Sequence, residues 1–511
     1  MDDDHGTRRR WYALMAVGIL LHVLAMTNSD LGLDAHVRLN AAMDDQHDGQ
    51  DLAWGKLRIS NSSDQSPSHE HAYDGYIAPW FESEYAAKIT AFVGVFAVAG
   101  LAGVSPGWGS RSRRFDPIRP TLILLSPVFL FVSARGYDEG MLALLGGLGA
   151  LGFWFNDGGQ RSQRLLHVIL MATSVLLLLG WKGFSPVMGI GAFLITVALG
   201  VGWVLLEERS TGSFGDWLRH PWIMAAASGM AVLIAVMVMG LTSKAGTFGI
   251  IAQQPVVFAA ATLLALIHST VLFLLVGFVL WPLVSTRWSS LAALRGPGPT
   301  MLASYVAALL AGVIAYIGAL WTLESGLWGR SLIETMLVLG NNGRYATVVL
   351  LPLVFLLSWP VSQEVHVGTR QESVRVNWGV LVLLPLSLFV SFFGQQLWSD
   401  DAGAWLADSM EEEEDCFVMV APETLAMHHL YVIKSNVDLT GDEAIDGYWR
   451  SANLVDDFLD SHPQCAGLML VAPGASYTPG EGWVMVEEQP VPFTLSGGTN
   501  AGSWKVFRAL P

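Results

Sequence analysis

The chain carries the sequence SARGYDEG at residues 133–140, between two apolar stretches. This run places a guanidinium, Arg135, and two carboxylates, Asp138 and Glu139, beside segments that the sequence predicts to lie in lipid. Charge at the edge of a bilayer costs free energy, so it is a default indication of function. A second acidic residue, Asp34, follows the first apolar stretch of the chain. We expect the two acidic loops to face one side of a membrane and to form a site there.

The composition indicates a polytopic α-helical membrane protein. The 511 residues are 52% hydrophobic and only 14% charged, which is too apolar for an ordinary soluble protein. Apolar runs of about 15 to 25 residues predict about eleven transmembrane helices. The predicted spans are 11–27, 89–105, 120–134, 139–155, 165–180, 185–206, 221–241, 255–282, 301–322, 345–360 and 378–394. The first of them follows a basic run, and we expect it to be retained because no good cleavage site follows it.

Basic residues occur in every second predicted connection between spans. They are Arg8, Arg9 and Arg10, then Arg111, Arg113, Arg114 and Arg119, then Arg161 and Arg164, then Arg209 and Arg219, then Arg287 and Arg295, then Arg370 and Arg375. Cytoplasmic connections carry the excess of Lys and Arg in membrane proteins. The pattern therefore predicts a multi-pass protein of the plasma membrane with a cytoplasmic N-terminus and an extracytoplasmic C-terminus.

The end of the chain has a different character. Residues 399–511 carry nineteen acidic and four basic residues, which account for −15 of the net charge of −16. Helix-like and strand-like segments alternate there, as in a small α/β domain. We therefore expect a transmembrane catalytic domain at 1–398, with a long first outer loop at 28–88, and an extracytoplasmic α/β domain at 399–511. So negative an outer domain argues against a nucleic-acid partner.

The two cysteines, Cys416 and Cys465, both lie in the acidic C-terminal region. Each precedes an apolar run that is typical of a strand, and an oxidising exterior permits a disulfide. The sequence leaves open whether the two residues pair.

Three short motifs resemble those of a known group of enzymes. LDAH at 33–36 follows the first span, RGYDEG at 135–140 forms an acidic turn, and RYATVVLLP at 344–352 begins a late span. In these places the chain resembles the GT-C superfamily of integral-membrane glycosyltransferases, and the last motif is similar to that of family 39, the protein mannosyltransferase-like members. The resemblance implies transfer of a sugar from a polyprenyl-phosphate donor, with an acidic first loop as part of the site and an outer C-terminal domain.

Two departures from that pattern bear on the function. Asp34 is followed by Ala35, whereas many members have Asp-Glu, so a paired-carboxylate role at this loop is in doubt. The C-terminal region also lacks the WWDYG sequence of oligosaccharyltransferases. We therefore do not expect transfer of a preassembled oligosaccharide to asparagine.

Sugar transfer from a lipid phosphate needs a base for the acceptor proton and positive charge for the departing phosphate. Asp34 is the candidate base, and a helix cap or a solvated loop acid is its alternative interpretation. Asp138 and Glu139 are candidates to orient the acceptor or to assist the base. They are also the candidate ligands for a divalent cation, Mg²⁺ or Mn²⁺, because carboxylate oxygens suit such ions. No cofactor is otherwise indicated.

Arg344 is the first candidate to bind the lipid phosphate, since a guanidinium offers two parallel hydrogen bonds, and Tyr345 would anchor the membrane interface. Arg135 and Lys182 are further candidates for the phosphate, and His36 is a weaker one. For the cations, the alternative is snorkelling at the end of a span. For His36, it is a surface position in the loop.

The sequence thus predicts a membrane glycosyltransferase acting on a glycan, lipid or protein acceptor at the outer face, in contact with membrane lipid. Two other classes stay open. A polytopic transporter agrees with the number of spans, although few ionisable residues lie within them. A membrane-anchored sensor or scaffold agrees with the outer α/β domain, which would then bind a ligand.

Overall fold

The structure, a computed structural model, is mostly helical with a small C-terminal sheet. It describes residues 2–36, 39, 54–61, 69–76, 84–104, 115–182, 184–242, 247–277, 281–359, 368–394, 396–410, 416–421, 426–438, 446–492 and 502–510. The chain divides into two compact units. Unit 1 comprises Met1–Ala25, Ala91–Ser133 and Asp138–Phe392, and unit 2 comprises Met26–Thr90, Ala134–Tyr137 and Phe393–Pro511.

Long apolar helices make this a multi-pass membrane protein. In the described ranges, nine helical segments are long and apolar enough to cross a bilayer. They are Gly6–Asn28, Glu84–Gly103, Arg161–Trp181, Pro186–Arg209, Pro221–Thr242, Pro255–Phe273, Pro297–Gly326, Leu332–Leu357 and Val376–Ser409. A bilayer core about 30 Å thick requires about 20 helical residues, which these segments supply.

Two of the eleven predicted spans are shorter helices instead. Residues 120–134 fall in two helices, Ile118–Leu124 and Pro127–Ala134, because Pro127 interrupts the backbone ladder. Residues 139–155 form the helix Glu139–Leu148 and a 3₁₀ turn, Leu151–Trp154. A helix of ten residues is about 15 Å long, or half a bilayer core. The apolar runs therefore predict two more transmembrane helices than the nine long helical segments of the described ranges.

The remaining helices of the described chain connect or continue these elements. Some α-helices have boundaries that differ from those of the membrane-crossing segments, and others lie outside them. Together they are Asp2–Asn28, Gly212–Leu218, Ile250–Gln253, Pro255–His268, Trp281–Ala292, Pro297–Trp328, Leu332–Leu339, Leu350–Leu357, Gly368–Phe393, Trp398–Ser409, Ala426–Asp438 and Val455–Ser461. Short 3₁₀ segments are Thr247–Gly249, Gly340–Val349 and Pro463–Cys465, and Ser269–Gly277 is a π-helix.

Close backbone approach holds the centre of unit 1 together. Gly146, in the helix Glu139–Leu148, lies so near the carbonyl oxygen of Val348 that an added Cβ would overlap it. The Tyr305 hydroxyl lies 2.9 Å from the carbonyl oxygen of Gly146, which accepts its hydrogen bond, and 2.6 Å from Ser174 Oγ. Small residues allow such contact between helices in lipid, where dispersion and hydrogen bonding replace the hydrophobic effect. The C-terminal part of Glu139–Leu148 is thereby positioned by neighbouring segments of unit 1.

Unit 2 contains a hairpin and a five-stranded sheet. The strands are β1 (Trp54–Asn61), β2 (His69–Tyr76), β3 (Cys416–Val420), β4 (Asp446–Arg450), β5 (Leu468–Val471), β6 (Trp483–Pro490) and β7 (Ser503–Ala509). β1 and β2 pair antiparallel. The sheet has the order β4-β3-β5-β7-β6, in which β3 is parallel to β4 and β5, and β7 is antiparallel to β5 and β6.

A disulfide answers the question that the sequence leaves open. Cys416 at the start of β3 is bonded to Cys465, with 5.1 Å between the Cα atoms. Both residues are buried in the smaller core of the sheet, with Val418, Val420 and Phe458. The bond closes a separation of 49 residues, and it therefore limits the freedom of the unfolded chain.

Substituting Gly146 with Ala tests the close approach at the centre of unit 1. We expect Gly146→Ala to lower the free energy of unfolding by about 1 to 3 kcal/mol, because the new methyl group meets a backbone oxygen that cannot rotate away. Gly100→Ala is the matched control, since nothing lies within 4 Å of its position. That change should be neutral or stabilise by up to about 1 kcal/mol. Denaturant titration of the purified protein measures both, and equal effects would contradict the packing argument.

Candidate functional site

Asp138 lies just before the helix Glu139–Leu148 and occupies its N-cap position. Its carboxylate makes no capping hydrogen bond and instead accepts from Trp181 Nε1 at 2.7 Å. Lys182 Nζ lies 3.4 Å from the same carboxylate. Trp181 and Lys182 stand at the end of the helix Arg161–Trp181, so one helix start and one helix end meet at this carboxylate.

Glu139 forms the second acid–cation pair of unit 1. The Arg344 Nε donates to Glu139 Oε1 at 2.6 Å, and the two side chains are only 3% and 0% exposed. Arg344 is carried by the 3₁₀ segment Gly340–Val349, whose Thr347 hydroxyl donates to the Glu139 carbonyl oxygen at 3.4 Å. A buried pair of this kind is held by mutual neutralisation, because either charge alone is costly in a low-dielectric interior.

Tyr345 lies between the two pairs. Its ring centre is 4.5 Å from Lys182 Nζ and 5.0 Å from Arg344 Cζ, within the range of a cation–π interaction. Asp138, Glu139, Lys182, Arg344 and Tyr345 therefore form one connected group, here called the acid–cation group. All five were predicted as site residues, and the structure brings them together. Trp181 was not predicted, because a Trp at the end of an apolar run is typical of membrane interfaces.

The exposures of the two cations differ. Lys182 keeps 22% of its side chain accessible, whereas Arg344 is enclosed. Arg344 is therefore not a snorkelling residue at a span end, and Lys182 is the cation of the group that an entering anion meets first.

A metal site was predicted at Asp138 and Glu139. Across the described ranges, no three side chains of His, Cys, Asp or Glu gather in a way that would hold a metal ion. Asp138 and Glu139 each face a cation, Lys182 or Arg344, rather than each other. A divalent ion there stays a prediction, and no chemical step below depends on it.

In unit 2, Asp34 lies among the helical residues 33–36, where it is half-buried. The backbone N–H groups of Ala35 and His36 donate to the Gly32 carbonyl at 2.9 and 3.0 Å. The Gly32 N–H in turn donates to the carbonyl of Arg135 at 2.9 Å. The loops that carry the first two acidic motifs are thus hydrogen-bonded to each other.

Glycine permits this contact between the loops. An added Cβ on Gly32 would overlap the ring of Tyr137. Gly136 adopts a φ of +66°, which is strained for other residues, and it faces Leu31. The Arg135 side chain is only 2% exposed, with its Cζ 5.9 Å from the Tyr137 ring centre. Arg135, predicted to bind a lipid phosphate, is therefore enclosed within unit 2.

Two further residues hold the segment that leads into the Asp34 turn. Lys88, which is buried, donates to the Ser29 carbonyl at 2.5 Å. The Asp30 carboxylate accepts from the Leu397 N–H at 2.6 Å, and burial raises the pKa of Asp30 above its usual value. Neither residue was among the predicted site residues. The only sequence signal for Lys88 is a lone cation at the head of an apolar helix.

His36 is buried rather than at the surface. Its side chain is 4% exposed, and Nδ1 lies 2.7 Å from Ser435 Oγ. Burial lowers the pKa of His36 to about 3, and the nearby charges of Arg135 and Lys88 act in the same direction. The imidazole is therefore neutral at physiological pH. A neutral, enclosed ring is a poor partner for a lipid phosphate.

A pH titration of stability tests the burial of two histidines. Burial lowers the pKa of both His36 and His429 from 6.5 to about 3. Below pH 6.5 the unfolded chain binds protons that the folded chain does not, so the free energy of unfolding falls towards pH 3. Each histidine contributes a slope of up to about 1.4 kcal/mol per pH unit.

The raised pKa of Asp30 acts in the opposite direction, so the parent shows a net effect and a variant is needed. We expect His429→Gln to have a shallower decline between pH 6 and pH 4, by about the slope of one histidine. Denaturant titrations of the two proteins across this range measure it. An identical decline in both would contradict the assignment.

A double-mutant cycle tests the pair between Glu139 and Arg344. Removing either partner alone leaves a buried charge, so Arg344→Gln or Glu139→Gln should each cost about 3 to 5 kcal/mol of stability. The double variant should cost less than the sum by about 1 to 3 kcal/mol. Lys505→Gln is the control, because its pair with Glu488 is 38% and 42% exposed and is worth at most about 1 kcal/mol. Additive losses at 139 and 344 would show that the two groups do not interact.

Comparisons with protein-family models, with curated proteins and with solved structures find no match to this chain. The resemblance to GT-C enzymes therefore rests on the three motifs of the sequence.

Proposed function

We propose that the protein is a membrane glycosyltransferase that transfers a sugar from a polyprenyl-phosphate donor to an acceptor at the extracytoplasmic face. The acid–cation group of unit 1 is the observation that carries the proposal. Two carboxylates, an ammonium and a guanidinium around one tyrosine ring are costly among apolar helices, and such groups in membrane proteins are functional by default. Their chemistry suits an anionic substrate that arrives from lipid.

The cations supply what the leaving group needs. In the transfer, the acceptor oxygen forms a bond to the anomeric carbon, the bond from that carbon to the phosphate oxygen breaks, and the polyprenyl phosphate leaves with the electron pair. Positive charge stabilises the phosphate as it departs. Lys182 is the accessible cation for this role. Arg344, which lies over the same Tyr345 ring, adds positive charge from an enclosed position.

The carboxylates have two separate roles. Asp34, in unit 2, is proposed as the general base for the acceptor hydroxyl on the strength of the first sequence motif alone. Asp138 and Glu139 hold Lys182 and Arg344 in place and keep the group near neutrality in the absence of substrate. A phosphate that enters the group competes with Asp138 for Lys182, which frees the Asp138 carboxylate to bind an acceptor hydroxyl.

The partners follow from these roles. The donor is a polyprenyl-phosphate-linked sugar drawn from membrane lipid, and the acceptor is a glycan, a lipid or a protein. The strongly negative segment 399–511 lies outside the cell, with the N-terminus in the cytoplasm, as the distribution of basic residues predicts. We propose no nucleic-acid partner.

Purified protein with a panel of polyprenyl-phosphate sugars tests the proposal. We expect the parent to consume one donor. Asp34→Asn removes the proposed base and Asp138→Asn removes the partner of Lys182, and each should lower the rate by about 100-fold or more. Asp460→Asn, at an exposed carboxylate of unit 2, should leave the rate unchanged. A parent that consumes no donor in the panel, or two variants that turn over normally, would overturn the proposed function.

A further inference from the structure

His36 shares one helical turn with Asp34, two residues away. Residues 33–36 are helical, and contacts with other parts of unit 2 fix where they lie. The Gly32–Arg135 hydrogen bond holds the start of this segment, and the His36 side chain makes a second contact.

The His36 ring contacts two helices of unit 2. Ser435 Oγ, in Ala426–Asp438, donates to the Val432 carbonyl at 2.9 Å and lies 2.7 Å from His36 Nδ1. A hydroxyl has one hydrogen, so Ser435 accepts here and His36 carries its proton on Nδ1. On the other side of the ring, Nε2 faces Asp400 Oδ1 of Trp398–Ser409 at 3.6 Å.

Asp400 is itself fixed in this arrangement. Asn436 Nδ2 donates to Asp400 Oδ1 at 2.8 Å, so the two helices that face His36 are also joined to each other. The imidazole therefore donates to Ser435 and lies beside Asp400, on two helices that are joined to each other. The hydrogen bond to Ser435 restricts the backbone from which the ring extends.

We propose that His36 is the positioning residue for Asp34: it fastens the turn of residues 33–36 to the helices Trp398–Ser409 and Ala426–Asp438. The inference rests on the proposed function for its kinetic consequence, because it takes Asp34 as the base. A base must be held within a fraction of an ångström, and a misplacement of about 1 Å costs about 100-fold in rate. The helix Ala426–Asp438 thereby supports the segment that carries Asp34.

The same two helices supply a matched control. His429 Nδ1 lies 2.8 Å from Ser399 Oγ, and both residues are buried. This pair joins the two helices with the same chemical groups as the His36–Ser435 pair, but it does not touch the turn of residues 33–36. Substituting His429 therefore measures the general cost of losing a buried histidine–serine hydrogen bond in this region.

The kinetic test compares His36→Leu, Ser435→Ala and His429→Leu with the parent, using the donor that the parent consumes. We expect His36→Leu and Ser435→Ala to lower kcat by about 10- to 100-fold with the donor KM within about twofold, and His429→Leu to lower kcat by no more than about twofold. His36→Asn should recover most of the rate, because its amide N–H replaces Nδ1–H. In the Asp34→Asn background, His36→Leu should have no further effect.

Hydrogen exchange separates a failure of this inference from a failure of the proposed function. Backbone amides of residues 32–36 should exchange at least about tenfold faster in His36→Leu than in the parent, while amides of β3 and β5 stay protected. Unchanged exchange in the turn, or equal kinetic losses in His36→Leu and His429→Leu, would overturn the positioning role. Faster exchange in a protein that consumes no donor would leave the anchor in place and refute the transferase instead.

Discussion

The need to neutralise charge among apolar helices governs unit 1. Glu139 and Arg344 are enclosed together, and Asp138 and Lys182 form a second pair beside them. Because no member can stay buried alone, three segments far apart in the chain must meet at the start of Glu139–Leu148. The glycines that bring this helix against its neighbours serve the same end, since a wider spacing would separate the charges.

Hydrogen bonds with backbone groups and side chains fix the segment of unit 2 that carries Asp34. The segment from Ser29 to His36 is held by Lys88, by the Leu397 N–H, by the Arg135 carbonyl and by Ser435. Each contact comes from a different segment, and most of them use a backbone atom. An irregular segment with this many anchors is rigid without having a regular secondary structure, which is what a catalytic loop requires.

Much of this arrangement could be predicted from the sequence, and the rest could not for physical reasons. Apolar runs predicted the multi-pass fold, and strand-like runs such as 468–471 predicted strands of the sheet. The cost of charge beside lipid indicated Asp138 and Glu139, and the late motif indicated Arg344. The helix breaks at Pro127 and after Leu148 were not predicted, because the residues on both sides of each break are apolar and the run of hydropathy continues across it. The burial of His36 depends on a contact across 399 residues and the role of Lys88 on a contact across 59 residues, and neither leaves a local pattern.

The pairing of His36 with Ser435 has a consequence for how the protein is made. The two residues are separated by 399 positions, so the ribosome delivers the serine roughly 20 to 80 s after the histidine at ordinary elongation rates. Throughout that interval the nascent chain has a membrane-inserted amino-terminal half but an unfinished turn. A chain that ends before residue 435, through a premature stop codon or early proteolysis, would therefore have the segment that carries Asp34 without one of its anchors.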